Sequence, residues 1–249
     1  MGRIIAVANQ KGGVGKTTTS INLAACLAEK GKKVLAVDMD PQGNLTSGLG
    51  VDKDSVEKSI YELIIGEVDI KEVLENLDII PTSIDLSAAE IELIGVDDKE
   101  YILRNAIDQV KDQYDFVIID CPPSLSMLTI NAMTTADSVI VPIQCEYYAL
   151  EGLSQLIHTV ELVKDRLNSK LEIEGVVFTM YDARTNLSLQ VVENVKDNLQ
   201  QNIYKTIIPR NIRLAEAPSY GLPINKYDPK STGAESYMRL ADEVIEREE

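Results

Sequence analysis

The run Gln10-Lys11-Gly12-Gly13-Val14-Gly15-Lys16-Thr17-Thr18 constrains this chain more than any other stretch of it. It follows the apolar segment Ile4-Ile5-Ala6-Val7-Ala8 and precedes Ile21, Leu23, Ala24 and Leu27, the spacing of an amphipathic helix. Strand, glycine-rich turn and helix, in that order, make a cradle for an oxyanion. Glycines let the backbone curl so that successive N–H groups point inward, and the helix N-terminus adds the positive end of its dipole. In such a loop Gly12, Gly13, Val14, Gly15 and Thr18 surround the phosphates. Lys16 reaches the β- and γ-phosphates, and the Thr17 hydroxyl sits on Mg²⁺. The ordinary form of this loop asks for glycine where Gln10 stands. A second lysine, Lys11, precedes the glycine pair instead.

Downstream, strand and helix patterns alternate. Lys33–Asp38 is a short apolar strand of the near-continuous kind found inside parallel sheets, and Leu77–Pro81 reads as a third strand. Helical patterns follow at Leu86–Ile94 and Tyr101–Val110. Phe116–Asp120 and Ser138–Pro142 are strands, and a long helix runs from about Ala149 to Leu167. Gly175–Thr179 and Lys205–Ile208 are the last strands, and a closing helix spans about Ala234 to Glu246. No repeat, low-complexity tract or linker divides residues 1–249, so the sequence predicts one domain. Its class is α/β, a mostly parallel twisted sheet with helices on both faces and right-handed crossovers. Ligands in that architecture bind at the carboxyl ends of strands.

Two such ends carry carboxylates. Asp38 and Asp40, one residue apart, project from the same side of an extended segment, and Pro41 and Gly43 follow in a turn that can respond to a γ-phosphate. Phe116-Val117-Ile118-Ile119 closes on Asp120, a pattern whose carboxylate holds Mg²⁺, usually through water. Many buried strands end in Asp, and it is the loop upstream that gives this one meaning. Cys121 beside it reads as a small buried thiol rather than a redox group.

The variant Lys-Gly-Gly-x-Gly-Lys-Thr at 11–17 resembles the deviant Walker A motif of the ParA/MinD-type P-loop ATPases. The resemblance covers nearly the whole chain. Asp120-Cys121-Pro122-Pro123-Ser124, Gln144 to Gly152, Asp182-Ala183-Arg184-Thr185-Asn186 and Ile208-Pro209-Arg210-Asn211 look like blocks of the chromosomal ParA/Soj proteins, in the right order. It implies an ATP- and Mg²⁺-dependent cycle in which ATP brings two subunits face to face and Lys11 crosses to the partner's nucleotide. Asp40 then matches the aspartate that positions the attacking water, with Asp38 a less defined companion. Pro209 and Asn211 fall where the family holds adenine, and Arg184 and Arg213 where Soj-like proteins contact DNA. The implied activity is slow ATP hydrolysis that drives chromosome or plasmid segregation. The implied partners are a second copy of the chain, double-stranded DNA of any sequence, and a ParB-like centromere-binding protein that stimulates hydrolysis.

Charge tests that implication. The net charge of −16 argues against a nucleic-acid partner. It is unevenly spread, however. Asp52 to Glu100 holds 15 acidic residues against four lysines, a net of −11, whereas Ile203 to Arg239 holds six basic against three acidic, a net of +3. Only the late portion can face an anionic polymer. Bidentate Arg–phosphate contacts are strong, yet one monomer supplies few, so doubling them on a dimer would let ATP gate DNA affinity.

Other readings fare worse. A MinD-like division ATPase ends in a basic amphipathic helix. This sequence closes on Glu243-Val244-Ile245-Glu246-Arg247-Glu248-Glu249, which an anionic bilayer repels. An iron–sulfur carrier needs paired cysteines, and Cys26, Cys121 and Cys145 are widely separated. A nucleotide-gated regulator of replication stays open as an added role. Asn225-Lys226-Tyr227-Asp228 mimics a guanine-specificity motif but lies too far from the loop and lacks a long strand before it. His158, the only histidine, has no nucleophile beside it and reads as structural. No signal segment, membrane span or disulfide framework is evident, which predicts a cytoplasmic protein, and the resemblance implies association with the nucleoid when ATP is bound. An extra N-terminal DNA-binding domain of the kind some plasmid partition ATPases carry is not expected, since the loop comes so early.

Overall fold

The computed structural model describes residues 2–74, 78–146, 149–199 and 202–247, those at 149–151 and 198 by their backbone alone. Leu77, Tyr147, Tyr148, Glu248 and Glu249 lie outside the described residues. Seven parallel strands form one sheet: β1 (Arg3–Val7), β2 (Val34–Asp38), β3 (Ile79–Ile80), β4 (Phe116–Asp120), β5 (Ser138–Gln144), β6 (Glu172–Tyr181) and β7 (Ile203–Pro209), in the order β3-β2-β4-β1-β5-β6-β7. The expected α/β class is what the chain adopts.

The central strands read as unbroken apolar runs because successive side chains enter two different cores. Ile4, Ala6, Val117, Ile119, Val139 and Val141 face one side, where α5 (Leu86–Glu92), α6 (Ile102–Ile107), α7 (Met127–Thr135), α8 (Ala149–Arg166) and α9 (Asn186–Asn198) pack. Ile5, Val7, Phe116, Ile118 and Ile140 face the other, beneath α1 (Lys16–Glu29) and α12 (Thr232–Glu246). Thr19 Oγ1 and the Tyr237 hydroxyl are 3.1 Å apart between those two helices. The remaining helices are short: α2 (Asn44–Gly48), α3 (Ile60–Ile64), α4 (Ile70–Val73), α10 (Ile212–Glu216) and α11 (Ile224–Tyr227).

Several boundaries differ from the sequence expectation, for physical reasons. β3 shrinks to the two residues paired with Ala36 and Val37. The helix expected from Leu86 stops at Glu92, and Gly95 then turns with φ of 86°. The one expected from Tyr101 begins at Ile102 after a 3₁₀ turn over Lys99–Tyr101. α9 is absent from the sequence reading because Leu187 and Leu189 are exposed while Ser188, Val191, Val192 and Val195 are buried, which blurs the helical period. α7 escapes for a different reason. Its buried face includes Thr129, Thr134 and Thr135, residues that look polar in a pattern.

Candidate functional site

Parallel register brings the functional strand ends together. Val7, just before the glycine-rich loop, pairs with Asp120, and Asp120 pairs with Asp38 on its other side. Loop, Asp120 and Asp38 therefore converge at one edge of the sheet although far apart in sequence. Gly13 and Gly15 take φ of 74° and 87°, a left-handed geometry that glycine adopts without strain. Gly15 is also the N-cap of α1, and no side chain caps that helix. Its first N–H groups are thus left for an anion. Val14 is buried and anchors the loop, and its carbonyl accepts from Thr179 Oγ1 at 2.8 Å.

The two lysines of the loop go different ways. Lys16 is 6% exposed, and its ammonium donates to the Lys11 carbonyl at 3.1 Å across the cradle. Burial pushes that ammonium's pKa down, while Asp120, Cys121 and Asp40 pull it back up. The Lys11 side chain is partly exposed, and its Nζ contacts Glu146 Oε2 of the same chain at 2.9 Å. Gln144 Nε2 braces the other oxygen of Glu146 at 2.6 Å. Glu146 gave no sign of this in the sequence except its place in the Gln144–Gly152 block.

Asp120 is fully buried and accepts from Thr17 Oγ1 at 2.7 Å and from Ser20 Oγ at 2.8 Å. Asp38, equally buried, accepts from the Thr46 amide at 2.8 Å and the Thr46 hydroxyl at 2.7 Å. Burial pushes the pKa of both carboxyls up, and the neighbouring Asp38 charge adds to the rise at Asp120. Two buried carboxyls side by side with a threonine hydroxyl offer hard oxygens and excess negative charge, a donor set that suits a divalent cation completed by phosphates and water. Among the described residues, no group of three or more acidic, cysteine or histidine side chains could bind a metal unaided. Asp40 sits two residues past β2 at 7% exposure. Its carboxylate accepts from the Gln42 amide at 3.0 Å, and its carbonyl closes the turn to Gly43 at 2.9 Å.

Beside the loop opens a cavity of 390 Å³ lined by Gly15, Thr18, Met180, Pro209, Asn211 and Tyr237 among others. Mostly apolar walls next to an anion cradle have the shape and chemistry to take a heterocyclic base. Pro209 and Asn211 are on this wall, and the Asn211 amide nitrogen donates to Thr232 Oγ1 at 2.9 Å. Thr179 and Met180, from the end of β6, were missed. Met180 holds a positive φ of 50° there, which no sequence signal announces.

Arg184 follows β6 and Arg213 follows β7, neighbouring strands, so both arginines stand on the sheet's carboxyl edge with the loop. Each is paired within the chain. Arg184 grips Asp182 with Nε at 2.8 Å and Nη2 at 2.7 Å, holding that carboxyl well below the usual carboxylate range. Arg213 donates to Glu216 at 2.8 Å and lies 3.6 Å from Asp228. Asn225 donates to the Ala25 carbonyl and to Glu29 on α1, His158 lies on the exposed face of α8, and all three cysteines are buried. Among the described residues no helix is long and apolar enough to cross a membrane.

The chain is similar to known proteins over most of its length. The AAA_31 family model, described as an AAA domain, matches residues 2–173. The chain is 59% identical to the sporulation initiation inhibitor protein Soj of Bacillus subtilis over 249 residues, covering 98% of both chains. It is 51% identical to the chromosome partitioning protein ParA of Myxococcus xanthus, covering 100% of this chain and 89% of that one. Among solved structures, a cobyrinic acid a,c-diamide synthase of Mycobacterium smegmatis with bound ADP and magnesium superimposes with a TM-score of 0.87 at 40% identity. That match covers 98% of this chain and 94% of the other.

Proposed function

Since the chain belongs to the ParA/Soj family of P-loop ATPases, we propose that it is an ATP- and Mg²⁺-dependent dimerising switch that moves DNA. In this reading the ATP form binds duplex DNA without sequence preference. Hydrolysis, stimulated by a ParB-like centromere-binding partner, returns the monomer. The observation that carries the reading is the division of labour between the loop's two lysines. Lys16 is folded into the cradle at 6% exposure, whereas Lys11 is held at the surface by Glu146. A loop built for one nucleotide needs only the first.

The roles follow from position. Backbone N–H groups of Gly12 to Thr18 grip the phosphates, and Lys16 with the partner subunit's Lys11 neutralises charge that develops on the transferred group. Thr17 and Asp120, already 2.7 Å apart, hold Mg²⁺, which when bound supplies charge stabilisation at the phosphate oxygens. Asp40, in the turn after β2, orients the attacking water. Pro209 and Asn211 flank the adenine. Positioning and electrostatics dominate because the protein has little covalent work to do. Arg184 and Arg213 exchange their carboxylate partners for DNA phosphates once two copies present them together.

The test is a gel shift on arbitrary duplex DNA with ATP, with ADP and without nucleotide, alongside light scattering for molecular mass. The expected result is a dimer and a DNA complex with ATP alone, both weakening as salt rises. Equal DNA affinity in the ADP and ATP states removes the gate and with it the proposal.

A further inference from the structure

The helix α5 has two apolar faces and only one of them is covered. Leu86, Ala89 and Leu93 are buried against the sheet. Ile84, Ile91 and Ile94 are 66%, 72% and 74% exposed, and Val96 is 44% exposed. Hydrogen bonds from Ser87 to the Ile84 carbonyl and from Ile94 to the Ile91 carbonyl continue the helical path beyond α5, so Ile84 and Ile91, seven apart, share its outer face. Three isoleucines presented to water on one turn-rich segment cost solubility, and such patches mark interaction sites.

The surroundings say what kind of partner fits. Asp85, Glu90, Glu92, Asp97 and Asp98 are exposed around these isoleucines. Tyr61 donates to Glu92 at 3.1 Å, and its phenol pKa is pushed up by desolvation and then by Glu92, Glu67 and Asp85, so these carboxylates gather on one surface. The stretch from Asp52 to Glu100 carries a net of −11. A second copy would set that charge against its like, and duplex DNA or an anionic bilayer would be repelled in the same way. The patch also follows β3, one edge of the sheet, while Arg184 and Arg213 follow β6 and β7 at the opposite edge.

We propose that the Ile84–Val96 surface is the docking site for a cationic amphipathic helix of a partner protein, its apolar stripe on the isoleucines and its lysines or arginines over the surrounding carboxylates. This is helix-in-groove recognition with an electrostatic rim, which speeds encounter and excludes acidic competitors. The inference does not depend on the nucleotide gate. It concerns a surface that follows β3, across the sheet from the strands leading to Arg184 and Arg213.

The probe is a fluorescein-labelled leucine–lysine peptide of about 18 residues patterned as an amphipathic helix, with its scramble as control. Anisotropy is read on the full chain at about 150 mM salt. Wild type should bind the patterned peptide at least about tenfold tighter than the scramble. The triple variant Ile84→Ser, Ile91→Ser, Ile94→Ser should lose that preference while keeping its ATP affinity, which reports an intact fold. The variant Glu90→Gln, Asp97→Asn should weaken both peptides and flatten the salt dependence. A preference that is absent in wild type, or that survives the serine variant, overturns the proposal. So does a wild-type dimer without nucleotide that the serine substitutions dissolve, since the occupant is then a second copy. Loss of ATP-dependent DNA binding would count against the switch and leave this surface standing.

Discussion

Gly13 and Gly15 carry positive φ, whereas Gly12 does not, and a Cβ built on Gly12 would meet nothing within 4 Å. The chain itself therefore gives no reason for glycine at 12; a phosphate or a facing subunit approaching the loop does. Gly12→Ala should leave urea unfolding within about 0.5 kcal/mol of wild type and weaken ATP binding or dimerisation at least about tenfold. Gly15→Ala should cost about 1 kcal/mol of stability as well, because alanine is strained at φ of 87°. Wild-type ATP affinity and dimerisation in Gly12→Ala would remove the loop from the site. Asp40 belongs to the same scale. Its side chain makes one bond to the Gln42 amide and supports no strand, so Asp40→Ala should fold, bind ATP and dimerise while hydrolysis falls about 100-fold or more. Normal turnover by single-turnover assay would take Asp40 out of its role. Lys11, Lys16, Thr17, Asp40 and Asp120 stood out as candidates in the sequence because each sits inside a short contiguous motif. Glu146, Thr179 and Met180 could not. Each reaches the loop only through strand pairing, which brings Thr179 Oγ1 to the Val14 carbonyl across 165 residues of chain.

At the scale of elements, the shortest strand of the sheet is tied through a neighbouring helix to one of the buried carboxylates. β3 pairs over two residues, and what fixes its exit is Thr46 on α2. The Thr46 hydroxyl donates to Asp38 at 2.7 Å and accepts from the Thr82 amide at 3.1 Å, with Asp38, Thr46 and Thr82 all at 0% exposure. Thr46→Val keeps the shape but leaves a buried carboxylate short of one donor and a buried amide without its acceptor. Each such orphan costs about 1–3 kcal/mol, so urea denaturation should show a loss of about 2–6 kcal/mol. A loss below about 0.5 kcal/mol would mean that Asp38 draws its support from elsewhere. The strands were the most legible elements, since a fully buried parallel strand writes itself as an apolar run. Helices were legible where one face is cleanly apolar, as in α12, or where a motif announces the start, as the glycine-rich loop does for α1. In the acidic stretch they are short and begin at caps such as Ser59–Glu62 and Asp69–Glu72. There the carboxylates that suggest solvated loop are satisfying helix ends, and a periodicity argument has too few turns to work with.

For the whole molecule, polarity of charge decides what the switch can hold. A chain of net charge −16 should drift away from DNA, and the two arginines proposed to meet it are already neutralised by Asp182, Glu216 and Asp228. A monomer thus offers phosphate little beyond an exchange of partners on two exposed side chains, each worth little in water. In the proposed dimer the sum would change in one respect: every contact would be made twice on a single duplex, and within each chain the acidic β3 edge lies across the sheet from the strands that lead to Arg184 and Arg213. Counterion release gives this a number. Each phosphate contact contributes about 0.9 to the slope of log affinity against log salt. Arg184→Ala in an ATP-loaded dimer therefore removes two contacts and should lower the slope by about 1.8, and Arg213→Ala should do the same. Both variants should hydrolyse ATP at the unstimulated wild-type rate, because neither arginine lines the loop. Fluorescence anisotropy on a labelled random duplex between about 50 and 200 mM salt reads the slope directly. A fall near 0.9 would mean that one subunit alone touches DNA and that dimerisation does not double the patch. An unchanged slope would mean that the arginines stay with their carboxylates and that DNA, if bound at all, lies on another face.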